Sequence, residues 1–362
     1  MKTPSLILLF CFIMQSVFGQ EPVKIGVAGL SHSHVVPLLR NLDRQEFKIV
    51  GIAESDTSLS NRYAKQFNID KELIYVSLNE MLDKTMPEGV VTFTSIYDHL
   101  KVVEACASRG IHVMVEKPLA VSTRHAARMK KLAENHGIMV LTNYETTWYP
   151  SNHEGYKMIS GGEIGQVRKI LVYDGHKGPK EINVNPEFLE WLTHPVLNGG
   201  GAVTDFGCYG ANLVTWILKG QKPESVFASL KQYKPEVYPK VDDDATILLS
   251  YPQMEVIINA SWNWPFNRKD MHVYGTDGYI LIDDAENIRY KLEERSGEKT
   301  KKASGEILKY NDPFAFFAAA VTGETEVGPN DLSSLENNLI VVEILEAAKK
   351  SSRTGRKIKL KR

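Results

Sequence analysis

Cysteine is scarce in this chain of 362 residues, which contains three. Cys11 lies in an apolar stretch near the N-terminus, and Cys106 and Cys208 each have apolar sequence neighbours. So few cysteines cannot form the disulfide framework of a small secreted domain. We therefore expect Cys106 and Cys208 to be small buried side chains. No spacing of cysteine and histidine resembles a metal site, so no metal is predicted.

An excess of charge of one sign is also missing. The chain has 43 Lys and Arg residues against 44 Asp and Glu residues, which gives a formal net charge of −1. This balance provides no overall field that would attract nucleic acid or an anionic membrane surface, so neither is an expected partner. The basic cluster at residues 356–362 is interpreted as a solvated tail.

No apolar run reaches the ~20 residues that a membrane-spanning helix needs. The apolar run at residues 6–14 follows Lys2, and Val17 and Gly19 then suit the −3 and −1 positions of a cleavage site. This arrangement is typical of a secretory signal peptide. Residues 1–19 are therefore predicted to be cleaved from an exported, periplasmic protein. The alternative is a buried first strand or helix.

From residue 20 to residue 143, short apolar segments alternate with helical ones. The apolar segments predict strands at residues 23–28, 47–53, 89–93, 111–115 and 138–141. The segments between them predict helices at residues 35–41, 58–67, 99–109 and 122–136. Strands that are apolar throughout and separated by helices form a parallel sheet covered on both faces. The pattern predicts a doubly wound α/β domain of the Rossmann type.

After residue 143, strands follow one another without helices between them. They are predicted at residues 167–173, 225–232, 246–251, 256–262, 271–274 and 279–282. This pattern favours an antiparallel sheet, so residues 144–330 are predicted to be an α+β domain with a large, mostly antiparallel open sheet. Leu335, Leu339, Val342 and Leu345 share one helical face. Residues 331–362 are therefore predicted to form a helix and basic tail that pack back on the core.

The turn after the first strand carries a candidate site. Gly26 and Gly29 would allow a tight turn close to a pyrophosphate, and the helix that follows would favour its negative charge. Leu30, Ser31 and His32 continue the turn, but a third glycine is missing, so the dinucleotide-binding fingerprint is incomplete. An ordinary strand-to-helix turn is an equally good interpretation of these residues alone.

Glu54 lies at the end of the second predicted strand. A carboxylate in this position accepts hydrogen bonds from the hydroxyls of a ribose. It would repel a 2′-phosphate, so it favours NAD over NADP. A loop carboxylate or a helix cap is the alternative role. Taken together with the glycine turn, Glu54 makes a site for NAD the prediction.

The stretch HVMVEKPLAV, residues 112–121, runs from an apolar strand into Glu116, Lys117 and Pro118. It resembles the signature of the Gfo/Idh/MocA family of sugar and polyol oxidoreductases. Glu54 stands where this family has its ribose-binding acid. Further similarities lie at residues 94–99, 162–167 and 198–209. The resemblance covers nearly the whole chain after the signal peptide and, with that peptide, implies an exported bacterial member of the family.

The resemblance implies catalytic roles for Lys117, Asp205 and Tyr209. Lys117 would hydrogen-bond the hydroxyl that is oxidised, with its pKa lowered toward neutrality by burial. Tyr209 would act as the acid/base, with its pKa lowered by Lys117. Asp205 lies one helical turn before Tyr209, so both would face one cleft, where Asp205 would orient the substrate or the lysine. A helix cap at Asp205 and a packing role for Tyr209 remain alternatives.

Further roles follow from the same resemblance. Glu116 would hold the cofactor or the backbone, and Thr94 and His99 would bind the cofactor near its nicotinamide. His194 would contact the substrate. Purely structural roles remain open for His99 and His194. The aromatic segment at residues 262–266 is interpreted as sheet packing or an oligomer face, with stacking on a sugar ring as the alternative.

Thr146 and Thr147 stand where many relatives carry an arginine, which removes a partner for an anionic substrate. The chain is therefore predicted to be an NAD-dependent oxidoreductase that acts on a secondary hydroxyl of a neutral sugar, glycoside or polyol. One alternative is a redox-neutral enzyme that oxidises a glycoside transiently, cleaves its bond and retains NAD. Another is a non-catalytic sugar-binding protein. Family likeness also implies a homo-oligomer formed through the C-terminal sheet.

Overall fold

The first sheet is parallel and lies in the N-terminal part of the chain. The computed structural model describes residues 21–361, so the predicted signal peptide lies outside the described residues. Neighbouring strands run in the order β3-β2-β1-β4-β5-β6 and pair in parallel. The order reverses between β1 and β4, the place where ligands bind in doubly wound sheets. The predicted Rossmann-type domain is thus confirmed. The six strands are β1 (Val23–Ala28), β2 (Phe47–Ala53), β3 (Ile74–Tyr75), β4 (Gly89–Thr92), β5 (His112–Glu116) and β6 (Val140–Asn143).

Helices connect these strands, and local signals set their ends. Asp56 begins the second helix by accepting hydrogen bonds from the backbone N–H groups of Ser58 and Leu59. Gly137 ends the fifth helix in the left-handed conformation. The structure adds α3 to the predicted helices and ends α1 earlier than predicted. Within residues 21–143 the α-helices are α1 (Val35–Leu39), α2 (Thr57–Phe67), α3 (Leu78–Thr85), α4 (His99–Ala107) and α5 (Thr123–His136).

The second sheet is large and mostly antiparallel, as predicted. Its strand order is β14-β13-β12-β11-β7-β10-β9-β8-β15, in which β7 and β10 pair in parallel. The other neighbours are antiparallel. Its strands within the described residues are β7 (Val167–Gly175), β8 (Ser225–Lys231), β9 (Asp244–Ser250), β10 (Glu255–Ser261), β11 (Arg268–Gly275), β12 (Tyr279–Ile282), β13 (Asn287–Lys291), β14 (Lys299–Lys302) and β15 (Ile358–Lys359).

One face of the second sheet is covered by helices. These and the remaining described helices are α6 (Pro150–Ser160), α7 (Pro186–Leu192), α8 (Ala202–Asp205), α9 (Gly207–Ile217), α10 (Pro313–Val321) and α11 (Leu335–Thr354). Every residue of α9 is buried, because this helix lies between the sheet and α11. Gly210 permits the close approach, since a Cβ there would lie 2.7 Å from Ile258 Cγ2. None of the described helices is long and apolar enough to cross a membrane.

The C-terminal part of the chain returns to both sheets. Phe317 of α10 is fully buried, and a Cβ on Gly89 of β4 would lie 2.7 Å from its ring. Helix α10 thus contributes to the core of the first sheet, although it lies within the range predicted for the second domain, residues 144–330. Helix α11 packs against α5 and β6 as well as α9 and β8. The tail predicted to be solvated, residues 356–362, contains β15, which pairs with β8 at the sheet edge.

Candidate functional site

Two cavities lie beside the carboxyl ends of the first-sheet strands. Both are bordered by the turn between β1 and α1 and by helix α7. The Glu54 cavity has a volume of about 540 Å³ and is lined by Gly29, Ser31, Glu54 and Thr94 among others. The Lys117 cavity has a volume of about 710 Å³ and extends toward the second sheet. The two cavities therefore offer adjoining spaces on either side of one turn.

Glu54 organises the turn that borders both cavities. Its Oε2 accepts a hydrogen bond from the backbone N–H of Leu30 at 2.8 Å, and its Oε1 accepts one from Asp56 at 2.9 Å. Gly29 adopts a φ of 82°, and a Cβ there would lie 2.5 Å from Thr94 Cγ2, so only glycine is accommodated. Because Gly29 has no side chain, the backbone of the turn is accessible from the cavity.

The residues of the Glu54 cavity fit the ribose of a dinucleotide. A carboxylate has about four acceptor positions, and backbone N–H groups use one on each oxygen of Glu54. The remaining positions are available to two hydroxyls. A 2′-phosphate would instead meet the negative charges of Glu54 and Asp56, which both line this cavity.

Two of the predicted cofactor residues do not direct a side chain into the Glu54 cavity. Gly26 lies inside β1, where a Cβ would be 2.8 Å from Met81 Cε, so its role is to make room for helix α3 rather than for a pyrophosphate. The side chain of Leu30 is 1% exposed and packs in the core. What Leu30 contributes is the backbone N–H bound to Glu54.

Two predicted cofactor histidines are buried away from the Glu54 cavity. The ring of His32 packs against Phe188 and Trp191 of α7, with centroid distances of 4.3 and 5.5 Å. His99 is fully buried, and its Nδ1 lies 3.2 Å from the carbonyl oxygen of Leu119. Burial lowers the pKa of His99 to about 4, so the ring is neutral. Neither histidine lines the Glu54 cavity or the Lys117 cavity, and cofactor binding by His32 and His99 stays a prediction.

Lys117 and Asp205 form a buried ion pair in the Lys117 cavity. The Nζ of Lys117 donates to Asp205 Oδ1 and, at 3.0 Å, to the carbonyl oxygen of Asp205. The second carboxylate oxygen, Oδ2, accepts a hydrogen bond from Trp262 Nε1 at 3.0 Å. The peptide bond from Lys117 to Pro118 is cis. Asp205 is thus fixed from two sides and orients the lysine.

The protonation state of Lys117 differs from the prediction. Burial is the largest single influence and lowers the pKa of its ammonium group, but Asp205, Cys208 and Glu116 together outweigh burial and raise this pKa above its ordinary value. The pKa of the Asp205 carboxyl is lowered, because Lys117, His176 and Trp262 together outweigh the opposing effect of burial. The pair is a charged ammonium–carboxylate contact. The expectation of a lysine with a nearly neutral pKa is therefore wrong for this structure.

Tyr209 lies beside this ion pair, as the resemblance implied. Lys117 Nζ is 5.1 Å from the centroid of its ring, and Lys269 Nζ is 4.9 Å from it. Burial, with Glu145 as the next largest influence, raises the pKa of Tyr209 well above its usual value. The prediction that Lys117 lowers this pKa is therefore wrong. The phenol is protonated at neutral pH.

Several residues of the Lys117 cavity have no motif in the sequence. Lys269 of β11 donates to Glu145, which also accepts a hydrogen bond from the Tyr149 hydroxyl at 2.5 Å. His176 follows β7 and packs edge-on against Phe206, with ring centroids 4.8 Å apart. Its Nδ1 accepts the backbone N–H of residue 178 at 2.9 Å. Strand ends are the one signal that could have indicated these residues.

His194 does not line either cavity. Its Nδ1 instead accepts hydrogen bonds from the backbone N–H groups of Val196 and Leu197, at 3.2 and 3.3 Å. These bonds stabilise the turn before the glycine segment. The structure thus gives His194 a role in this turn, and its contact with substrate stays a prediction.

The wall of the Lys117 cavity is charged but balanced. Lys117 and Lys269 are paired with Asp205 and Glu145. Further out, Arg268 is paired with Asp270 and Arg289 with Asp283. Because each cation has an acidic partner, the wall offers many hydrogen-bond donors and acceptors without an excess of positive charge.

The comparison with protein families agrees with this geometry. Residues 23–144 match the model described as "Oxidoreductase family, NAD-binding Rossmann fold". Residues 154–281 match the model of the GFO/IDH/MocA C-terminal domain. The chain belongs to the Gfo/Idh/MocA family of oxidoreductases, and its first domain is an NAD-binding Rossmann fold. The predictions of the family and of NAD as the cofactor are confirmed.

Individual proteins are similar at lower identity. The chain is 26% identical over 224 residues to trans-1,2-dihydrobenzene-1,2-diol dehydrogenase from Macaca fuscata fuscata, a match that covers 62% of this chain and 63% of that protein. An inositol dehydrogenase homolog from Azotobacter vinelandii, solved with NAD+, has a TM-score of 0.81 at 16% identity, covering 94% of this chain and 97% of that one. The aldose-aldose oxidoreductase from Caulobacter crescentus, complexed with glycerol, has a TM-score of 0.78 at 20% identity, covering 94% and 100%. These structures share the fold.

Proposed function

We propose that the protein is an NAD-dependent oxidoreductase acting on a secondary hydroxyl of a neutral sugar, glycoside or polyol, or on the corresponding ketone. The observation that carries this proposal is the meeting of Lys117, Asp205 and Tyr209 in one cavity that adjoins the Glu54 cavity. The balanced wall supports a neutral substrate. The names of the relatives, a dihydrodiol dehydrogenase and an inositol dehydrogenase homolog, refer to neutral diols and polyols.

The chain's own groups would position the substrate and move its proton. Bound NAD would supply the hydride chemistry. The Lys117 ammonium, oriented by Asp205, would donate a hydrogen bond to the reacting oxygen. The Tyr209 phenol would give its proton to that oxygen when a ketone is reduced. In the opposite direction, Tyr209 must first lose its proton, which its raised pKa makes costly at neutral pH.

This protonation state gives the proposal a pH signature. The rate of alcohol oxidation should rise with pH above neutrality, because it needs the deprotonated phenol, whereas the rate of ketone reduction should stay level until the pH approaches the raised pKa of Tyr209. The ionisable groups around this phenol include Lys117, Lys269, Glu145, Asp205, Cys208, Glu116 and Tyr144.

Steady-state assays test the proposal directly. Purified protein would be incubated with NAD or NADP and a panel of neutral polyols and glycosides, while nicotinamide absorbance and product mass are recorded. We expect turnover with NAD and a loss of about 100-fold or more in kcat for Lys117→Met and Tyr209→Phe. Lys222→Met and Tyr251→Phe, which lie outside the Lys117 cavity, are matched controls.

The product mass separates the alternatives. A product two hydrogens lighter than its substrate, with stoichiometric NADH, supports net oxidation. Cleaved glycoside without net NADH would replace the proposal with the redox-neutral function. Full activity of both Lys117→Met and Tyr209→Phe would overturn the assigned roles.

We propose, in addition, that residues 1–19 direct export. Support comes from the short apolar run and from Val17 and Gly19 at suitable positions. Expression of the full chain in a Gram-negative bacterium, followed by fractionation and N-terminal sequencing, should yield periplasmic protein beginning at Gln20. Cytoplasmic protein that retains the first residues would contradict the export proposal.

The outer face of the second sheet is our proposed homo-oligomer interface. Phe227, Leu248, Ile257 and Leu171 are cross-strand neighbours in β8, β9, β10 and β7, on the face opposite α9. None of the four is fully buried, and Phe227 is 41% exposed. Such a row of partly exposed apolar side chains is typical of an interaction surface. Light scattering should find an oligomer that Ile257→Glu converts to monomer, and a monomeric wild type would reject the interface.

A further inference from the structure

Three metal-ligand side chains converge beneath the rim of the Lys117 cavity. One ring nitrogen each of His32 and His34 and one carboxylate oxygen of Glu116 lie within 4.8 Å of one another. The two histidines come from the turn after β1. Glu116 is the last residue of β5 and lies 82 residues after His34 in the sequence. The parallel sheet brings these segments together because neighbouring strands end at the same edge.

Glu116 is a buried acidic side chain whose hydrogen-bond partners are a histidine and an amide. Glu116 is 3% exposed, and its direct partners are His34 Nδ1 at 3.0 Å and the Asn143 amide at 2.9 Å. The adjacent ammonium of Lys117 is bound to Asp205 instead. Buried charges in proteins are usually paired or coordinate a metal.

We propose that His32, His34 and Glu116 bind a divalent transition-metal ion of the zinc type, with an open coordination position toward the Lys117 cavity. Two imidazoles and one carboxylate are a ligand set that zinc accepts, and three protein ligands leave a fourth position free. The side chain of His34 is 40% exposed and lines the Lys117 cavity, which provides a path for the ion.

The geometry needs a small adjustment only. Zinc bonds of about 2.0–2.1 Å in a tetrahedral site place ligand atoms roughly 3.3 Å apart. His34 Nδ1 and Glu116 Oε2 are already 3.0 Å apart. The three ligand atoms lie within 4.8 Å of one another, so closure onto a metal ion requires a movement of about 1–2 Å.

Neighbouring residues already orient two of the three ligands. Asn143 donates from Nδ2 to Glu116 Oε1, and its own Oδ1 accepts the indole N–H of Trp148 at 3.0 Å. The His32 ring is fixed by the backbone N–H of His34, which donates to its Nδ1 at 3.1 Å. Such partners typically contribute 10- to 100-fold to the affinity of a metal site. This site goes beyond the proposed function and does not depend on it.

Metal binding can be tested without any assay of activity. Tag-free protein would be treated with a chelator, dialysed, and titrated with Zn2+ by calorimetry and with Co2+ by visible absorption. We expect one equivalent of Zn2+, protons released on binding, and a Co2+ spectrum of low-coordinate type. His34→Ala and Glu116→Gln should each weaken binding by at least about tenfold, and Asn143→Ala by about tenfold.

Two controls keep the outcome decisive. His272→Ala removes another histidine of the Lys117 cavity, one paired with Asp270 at 3.4 Å, and should leave binding unchanged. Thermal unfolding of each variant without metal establishes that it is folded. The proposal would be overturned if the wild type showed no saturable binding of Zn2+. It would also be overturned if folded His34→Ala and Glu116→Gln bound Zn2+ with the same affinity as the wild type.

Discussion

At the scale of single residues, Trp262 is the support that the catalytic pair depends on most directly. It is fully buried, and its indole N–H fixes the oxygen of Asp205 that does not contact Lys117. Trp262→Phe keeps the aromatic packing and removes this one hydrogen bond to a charged group, which is worth about 1.5–3 kcal/mol. We expect kcat to fall by about tenfold or more while the KM for NAD is unchanged.

The matched control for that substitution is Trp216→Phe. Trp216 belongs to α9 and stacks on Tyr156, away from Asp205. Its replacement should leave kcat within about twofold of wild type. Equal kcat values for Trp262→Phe and wild type would mean that Asp205 is oriented without the hydrogen bond from Trp262.

Glu54 gives a second prediction at this scale, on coenzyme choice. Glu54→Gln keeps a side-chain oxygen for the backbone N–H of Leu30 but removes the negative charge. The ratio of the Kd for NADP to the Kd for NAD should fall by on the order of tenfold, because a 2′-phosphate no longer meets a carboxylate. Fluorescence titration with both coenzymes measures the ratio. The exposed Glu80, paired with Lys84, supplies the control Glu80→Gln, and an unchanged ratio in Glu54→Gln would contradict the assignment.

The sequence predicted which residues form the site better than it predicted their protonation states. Lys117, Asp205 and Tyr209 lie in motifs, and they do meet in one cavity. Their protonation could not be read from sequence, because it is set by pairs that form only in the fold. His176 and Lys269 were missed because no sequence motif near them indicates that these strand ends border a cavity. His32 and Glu116 were each visible in a motif, but the convergence of His32, His34 and Glu116 was not, because the fold alone brings these segments together.

At the scale of elements, α10 tests how the chain is divided. Phe317 lies on the first sheet although it is 174 residues beyond Asn143, the end of the last strand of that sheet. Phe317→Ala should lower the free energy of unfolding by about 3–5 kcal/mol through lost burial and the cavity left behind. Urea denaturation measures this loss. Phe266→Ala, at a side chain that is 77% exposed, should change stability by less than about 0.5 kcal/mol.

Strong apolar periodicity explains which elements were predictable. The central strands β1, β2 and β10 are apolar runs with clear ends, and their predicted bounds agree with the structure to within about a residue. β14 was missed because its four residues, Lys299–Lys302, are all exposed and polar. α7 was missed because seven residues give too few turns for a periodic signal. These short elements matter, since α7 borders both cavities.

At the scale of the whole molecule, the glycine segment at residues 199–201 ties the two domains together. Lys349 of α11 donates to the carbonyl oxygens of Gly199 and Val121, at 2.7 and 3.3 Å. Asp242 of the second domain accepts the backbone N–H groups of Gly201 and Val203, at 2.9 and 2.7 Å. The position of α8, and therefore of Asp205, depends on these contacts from both sides.

Asp242 makes this junction sensitive to pH. Burial raises the pKa of Asp242 from 3.8 to about 6, against the smaller opposing effects of its backbone hydrogen bonds and of Lys349. Since the folded-state pKa is the higher one, the folded protein binds the proton more tightly than the unfolded chain. The contribution to stability is therefore complete below about pH 4 and is lost as pH rises to about 6. A shift of about two units corresponds to roughly 3 kcal/mol.

The effect of Asp242 is measured as the difference in the free energy of unfolding between two proteins, because the contributions of the other titrating groups then cancel. Asp242→Asn cannot titrate at this position, so the wild type should lose roughly 3 kcal/mol relative to it between pH 4 and pH 6. Above about pH 6 the two free energies of unfolding should run parallel, because Asp242 is then ionised in both states of the wild type. Urea denaturation of both proteins at several pH values gives the curves. Parallel curves across the whole range would mean that the Asp242 carboxyl has the same pKa folded and unfolded, and that the junction is held together by hydrogen bonds alone.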